Sequence, residues 1–129
     1  MKSYELEIVW RNQLSSLLIY QGYNVFLPVY DAGIDLIAHR ESDGDLKLIQ
    51  QKGRWGIFKK YLGRDIWVAF PHDGCWFVVE HDRMLEWPEV ARFLLTKSWI
   101  EEGQYHSANP SRALVARFAE DGLGAVTPL

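Results

Sequence analysis

The 129-residue chain holds a single cysteine, Cys75, so an intrachain disulfide is excluded. Paired cysteines are what oxidising compartments favour, and their lack leads to the expectation of a reducing cytoplasm. No apolar run reaches the length of a bilayer span, which argues against a helical membrane protein. The opening residues, "MKSYELEIVWRNQ", carry charges where a secretory leader needs its apolar stretch, so no leader is expected here. The four histidines, His39, His72, His81 and His106, stand at none of the spacings that helical metal ligands use. His72 and His81 flank one predicted hairpin and could approach each other, although turn and strand-end roles are commoner. A phosphate-cradling glycine loop is missing too, since the "GLG" near the end lacks a preceding strand and a lysine. These absences remove disulfide scaffolds, simple zinc sites and nucleotide-cradling loops, and no organic cofactor is expected.

What remains is apolar and aromatic. Hydrophobic residues make up 48% of the chain and charged residues 24%, with six each of Trp, Tyr and Phe. That composition excludes disorder and suits one domain, 1–129, with an ordinary core. Trp67, Phe70, Trp76, Phe77, Trp87 and Trp99 could supply a base-stacking platform, but aromatic residues in strands of a small domain mostly fill its interior. Cys75, at the head of an aromatic strand, reads as core. The net charge of −3 disfavours a general nucleic-acid binder, yet it conceals an asymmetry. Lys52, Arg54, Lys59, Lys60 and Arg64 cluster within a stretch that contains no acidic residue. Such a segment suits local phosphate contact, and equally a solvated loop.

Periodicity predicts a helix from Ser3 to Gln21, with Ser3 as N-cap, Leu6, Trp10, Leu14, Leu17 and Leu18 inward, and Gly22 as the stop. Strands follow at Asn24–Val29, Ile34–Arg40 and Asp45–Lys52, the last two joined by a tight Asp43-Gly44 turn. "DIWVAFP" and "CWFVVEHD" form a further pair around His72-Asp73-Gly74. The remainder reads as two helices, "RMLEWPEVARFLLTKSW" and "SRALVARFAED", within about 83–122; Asn109 and Pro110 stand as N-cap and first-turn proline of the second, and Gly122 as its stop. The order α-β-β-β-β-β-α-α gives an α/β class, a central sheet with helices around it.

Two charged or polar groups interrupt this pattern. Asp35 opens the apolar run "IDLIA", and "IQQK" closes the next. Alternation along a strand puts Gln50 and Lys52 on one face and Gln51 on the other. A turn centred on residues 43–44 sets Asp35 roughly opposite Gln51 or Lys52. One carboxylate, one amide oxygen and one ammonium then meet at a sheet edge. Oxygen donors of this kind suit Mg²⁺, which takes phosphate oxygens as further ligands, and a neighbouring lysine can stabilise charge on a phosphate in transit. The plain alternative is an Asp35–Lys52 ion pair at a strand end.

"GIDLIA…IQQK" resembles the core of the PD-(D/E)XK, or restriction-endonuclease-like, superfamily. More narrowly it is similar to Mrr-like members with Gln in place of the middle acid. "LIQQKGRW", "KKYLGRDIWVAF" and "WFVVEHDRML" resemble uncharacterised bacterial members, some grouped with intron-associated endonucleases. The resemblance covers Ser3 to about Leu85. It implies a restriction-endonuclease-like core with a central mixed sheet of about five strands, and DNA cleavage with Mg²⁺ or Mn²⁺. Carried over by position, Asp35 binds metal, Gln50 and the Gln51 carbonyl complete the site, and Lys52 is catalytic. The helix-one Glu found in many members is Arg11 here; Glu7, one turn earlier on the same face, is the candidate replacement, against a surface pairing with Arg11. Asp31, four residues before Asp35, reads as a second candidate or as a turn residue ahead of Gly33. Arg54, Lys59, Lys60 and Arg64 become the DNA-backbone contacts, with Lys59, Lys60 and Arg64 foremost. Cutting both strands of a duplex would suit a homodimer. The competing expectation is a catalytically degenerate module of this fold that binds nucleic acid or a protein partner.

Overall fold

The computed structural model describes residues 1–123. Helix α1 spans Ser3–Tyr20, with Lys2 rather than Ser3 at the N-cap and the Glu5 carboxylate accepting the Lys2 backbone N–H. It ends in a Schellman motif: Tyr23 N–H donates to Leu18 O at 3.1 Å and Gly22 N–H to Ile19 O at 3.0 Å. Gly22 takes φ +93°, a conformation that a side chain would strain. Strands β1 (Asn24–Phe26), β2 (Leu36–Arg40) and β3 (Asp45–Gln51) follow, each antiparallel to the next. The chain then makes β4 (Trp55–Phe58) and a 3₁₀ turn (Lys59–Tyr61) before β5 (Ile66–His72) and β6 (Cys75–Glu80). Strand β5 lies parallel to β3 and antiparallel to β6, so the five-stranded sheet, in the order β1-β2-β3-β5-β6, is mixed. This is the expected α/β architecture.

Alternation divides the sheet cleanly. Leu36, Ala38, Ile49, Ala69, Trp76 and Val78 pack with Leu14, Leu17 and Leu18 of α1. Val68, Phe70, Phe77 and Val79 face the other way, into a layer built by Trp55, Ile57, Trp87, Val90, Leu114 and Phe118. Each face of the sheet therefore loses its apolar surface to a different partner, at roughly 25 cal/mol per Å² of area removed from water. The aromatic residues fill these layers: Phe70, Trp76, Phe77 and Trp87 are buried, and Trp99 almost wholly so. Cys75 is only half-buried.

Three local expectations are corrected. The β2–β3 connection is a four-residue loop, closed by the Arg40–Asp45 pair, not a two-residue turn. The Arg40 guanidinium grips Asp43 at 2.7 Å and holds its carboxyl down to about 2. Next, the basic stretch is not a loop. Trp55, Gly56, Ile57 and Phe58 are all buried in β4, which pairs with β7 (Gln104–Ser107) as a second small sheet. Finally, the long helix expected from Arg83 onward is broken. Pro88 lacks an N–H and fits only a first helical turn. Two one-turn helices result, α2 (His81–Met84) and α3 (Pro88–Ala91), then a 3₁₀ turn at Arg92–Leu95, a π turn at Ser98–Glu102 and β7. Helix α4 spans Arg112–Asp121, and its N-cap is Ser111, whose Oγ accepts from Leu114 N–H, not Asn109. No helix among the described residues is long and apolar enough to cross a membrane.

Candidate active site

The edge where β2 begins and β3 ends gathers the residues singled out above. Leu36 pairs with Ile49, and Asp35 N–H donates to Ile49 O at 2.8 Å, so Asp35 stands opposite Gln50. The expected partner is Gln51 or Lys52, and the observed pairing is shifted from these by one or two residues, a consequence of the four-residue loop. Leu36 and Ile49 turn toward α1, and alternation therefore places Asp35 and Gln50 together on the opposite face. Lys52 continues that face just past the strand, where its N–H donates to Ala69 O at 2.8 Å.

Asp35 Oδ2 accepts the Gln51 N–H at 2.7 Å, which anchors the carboxylate to the strand opposite. Burial pushes its pKa above the usual carboxylate value. The Gln51 N–H opposes that rise, while Asp31 beside it and Glu7 further off add to it. Gln51 turns toward the helix, and its Nε2 donates to Glu7 O at 3.1 Å. Gln50 Nε2 reaches the Gln51 carbonyl at 3.3 Å, while Gln50 Oε1, like Gln51 Oε1, is buried with no hydrogen-bond partner among the described residues. Glu7, Asp31, Asp35, Gln50 and Gln51 line one cavity of about 210 Å³, together with Ile8 and Arg11. Asp31 is both things the sequence allowed. Its Oδ1 accepts the Gly33 N–H at 2.7 Å in a turn, and it borders the cavity.

Lys52 is set apart from the carboxylates. Its ammonium forms no ion pair or hydrogen bond among the described residues, so the strand-end ion pair is not what the structure contains. Instead its ammonium lies over the rings of Phe58, at 4.5 Å, and Tyr61, at 5.4 Å. Burial and the Lys60 charge push its pKa below the usual lysine value, against the pull of Asp35 and Asp31. It borders a second cavity with Asp31, Gln50, Lys60 and Arg64.

The basic residues have separate fates. Lys60 is exposed at the second cavity, and Arg54 is exposed at a third beside Lys52. Arg64 is tied to the neighbouring loop while still bordering the second cavity: its Nη2 donates to the Ala32 carbonyl, and its guanidinium lies against Gly33. Lys59 turns away, its ammonium reaching Ile100 O at 3.4 Å and the Trp99 ring at 5.4 Å. Arg11 lines the carboxylate cavity without ion-pairing there, so it is neither the missing acid nor Glu7's partner.

Two buried polar groups carry no signal in the sequence. Lys47 on β3 is bonded to Asp45 and to Tyr23 Oη, and lies 4.2 Å from the Trp67 ring. His81, fully buried, accepts the Phe58 N–H on Nε2 at 2.9 Å and holds Asp82 through Nδ1 at 2.9 Å. His72 pairs with Cys75 at the far end of the same strands, so the two histidines do not meet.

The donor set is one that a hard divalent cation accepts. It comprises a carboxylate pressed by two other carboxylates, buried amide oxygen without a partner among the described residues, and a backbone carbonyl that accepts a 3.3 Å bond from Gln50 Nε2. No three His, Cys, Asp or Glu side chains stand at ligand distances among the described residues. A Mg²⁺-type ion, which keeps several waters, needs fewer protein ligands than that.

No protein-family model matches the chain, and no curated protein matches it. Among solved structures, a bacterial homing endonuclease, I-Ssp6803I, superposes with a TM-score of 0.51 over 87% of this chain and 80% of its own. The fold is shared with a nuclease. At 14% sequence identity the likeness speaks for the architecture and leaves the roles of residues to chemistry.

Proposed function

We propose that the chain is a metal-dependent DNA endonuclease of the PD-(D/E)XK type. The observation that carries the reading is the unpartnered, buried Gln50 Oε1 beside Asp35, on one sheet face with Lys52. Asp35, Gln50 Oε1 and the Gln51 carbonyl would hold Mg²⁺ or Mn²⁺, with Glu7 and Asp31 near enough to add negative potential. The bound ion supplies an acidified water and neutralises phosphodiester charge. The chain's own groups do the rest. The Asp35 carboxylate is oriented by the Gln51 N–H. The Lys52 ammonium, unpaired and held on two aromatic rings, is free to stabilise charge as it develops on the phosphate. Lys60 and Arg54, on either side, offer contacts to the strand backbone.

A second reading has one observation in its favour: Arg11 occupies the carboxylate cavity and dilutes its negative field. On that reading the chain binds DNA without cutting it. Calorimetric titration of Mn²⁺ and Mg²⁺ into the parent and Asp35→Ala, followed by plasmid cleavage with the parent, Asp35→Ala and Lys52→Ala, separates the two. Ion binding and cleavage that both vanish in Asp35→Ala, with cleavage also lost in Lys52→Ala, support the nuclease. DNA binding without cleavage under either ion supports the module. Cleavage undiminished in both variants would sink the site assignment.

A further inference from the structure

Beside Lys52, on the side away from the carboxylates, β4 and β7 form an open cavity of about 420 Å³. Its walls are Lys52, Gly53, Arg54, Phe58 and His106. The register explains the company. Gly56 pairs with His106, and Arg54 and Phe58 lie two residues to either side of Gly56, so alternation sets all three residues on one face. The Phe58 ring folds back over Gly56, where a Cβ would meet Phe58 Cζ at 2.7 Å and His106 Cβ at 3.0 Å. The glycine is what lets the ring form the floor and lets His106 stand close to it.

The chemistry of this hollow differs from that of the surface around it. Four cations elsewhere are ion-paired among the described residues, Arg40 with Asp43, Lys47 with Asp45, Lys97 with Glu101, and Arg117 with Glu89 and Asp121, while others such as Arg11 and Lys60 are not. What sets the hollow apart is that its nitrogens share one cavity. Lys52, Arg54 and His106 have no carboxylate within ion-pair reach among the described residues, and no acidic residue lines the cavity. On a chain with a net charge of −3, three nitrogen-bearing side chains around an apolar floor are an anion's site rather than an average surface.

Lys52 belongs to this hollow and also to the cavity holding Asp31, Gln50 and Lys60. A strand whose phosphate rests at Asp35 and Lys52 therefore continues into it. We propose that the β4–β7 hollow is the subsite for the nucleotide next to the scissile phosphate. Arg54 and His106 grip its backbone phosphate, and the sugar lies against Phe58 and Gly53. The inference rests on the nuclease reading and adds to it His106, a residue 54 positions from Lys52 in sequence that no motif marks.

The test is fluorescence anisotropy of a labelled DNA duplex of about 20 base pairs, without metal, over a salt series. The proteins are the parent, Arg54→Ala/His106→Ala, His106→Glu and, as a control on a charge far out in solvent, Lys97→Ala. The double variant should bind about 10-fold more weakly, with a shallower slope of log affinity against log salt by roughly one unit per lost phosphate contact. His106→Glu should lose affinity in the same direction, and Lys97→Ala should match the parent. Equal thermal midpoints establish that the variants are folded; any variant that melts early is replaced by Arg54→Gln or His106→Gln. Parental affinity in the folded double variant overturns the subsite while leaving DNA binding, and so the nuclease reading, standing. Equal weakening by Lys97→Ala overturns it as well, because the effect would then be one of net charge. A parent that does not bind DNA overturns both.

Discussion

Replacing His81 by Phe keeps an aromatic ring in a fully buried position and removes both nitrogens. The edge-on contact with Tyr61, at 5.6 Å and 89°, should survive. What is lost is the acceptor for the Phe58 N–H, a backbone donor that has nowhere else to go inside β4. A buried donor left without a partner costs about 1–3 kcal/mol. Asp82 loses little, since it keeps the Gly63 N–H at 2.9 Å and is partly exposed. A loss of about 2 kcal/mol at pH 8 follows, or a melting midpoint lowered by roughly 6–10 °C. The pH dependence is the sharper part. Nε2 accepts, so the folded ring is neutral with its proton on Nδ1, and burial holds its pKa below the ordinary 6.5. A histidine with a depressed folded pKa contributes stability that is fully present above 6.5 and is lost as pH falls through the folded value. In that window the unfolded chain takes up the extra proton, and parental stability falls by at most about 1.4 kcal/mol per pH unit. His81→Phe has no such slope. Urea denaturation followed by tryptophan fluorescence, at steps from about pH 8 to pH 5, gives both curves. The gap between parent and variant should close toward acid; a gap that stays constant with pH refutes the neutral-acceptor assignment.

Asp35→Asn should abolish divalent-ion binding by calorimetry yet unfold no earlier than the parent at neutral pH. The burial and neighbouring carboxylates that raise the Asp35 pKa make its ionised form costly. Any stability gain in the variant should therefore be present above the raised pKa and disappear as pH falls below 3.8, which denaturation at both pH values checks. Gly33→Ala should cost about 1–2 kcal/mol and weaken ion binding, because Gly33 sits at φ +91° and an added Cβ would lie 2.9 Å from Arg64 Nη1. Thermal melts and the same ion titration would show it; an unchanged midpoint would mean that the turn holding Asp31 tolerates the side chain.

Much of the sheet was legible because its signals are local. The β5–β6 pair was readable from two aromatic-rich apolar runs around His72-Asp73-Gly74, and the Gly22 stop from position alone. The Asp35–Gln50–Lys52 set was visible for the same reason, two strands joined by a short turn. The register is shifted by one or two residues because the connection has four residues rather than two, with Arg40 gripping Asp43 within it, a length no dipeptide signal carries. Strand β4 was hidden: its partner β7 is polar and some 50 residues away, and only pairing makes Trp55–Phe58 extended. The C-terminal helix dissolved into single turns because Pro88 breaks the backbone and Trp87, Val90 and Trp99 each find separate places in the core.

By itself the sequence determined the class of the fold, its two hairpin pairs and the oxygen-and-ammonium set at the sheet edge. All of these follow from period-two geometry and short-range turns. Tertiary structure alone decided the company that set keeps. It brought Glu7 and Arg11 in from the helix, tied Arg64 to the Asp31 loop, turned Lys59 away and set His106 beside Arg54. It also left Lys52 without a carboxylate partner. Those outcomes depend on how separate elements pack, and packing is settled by the burial of whole surfaces, which no local window of residues contains.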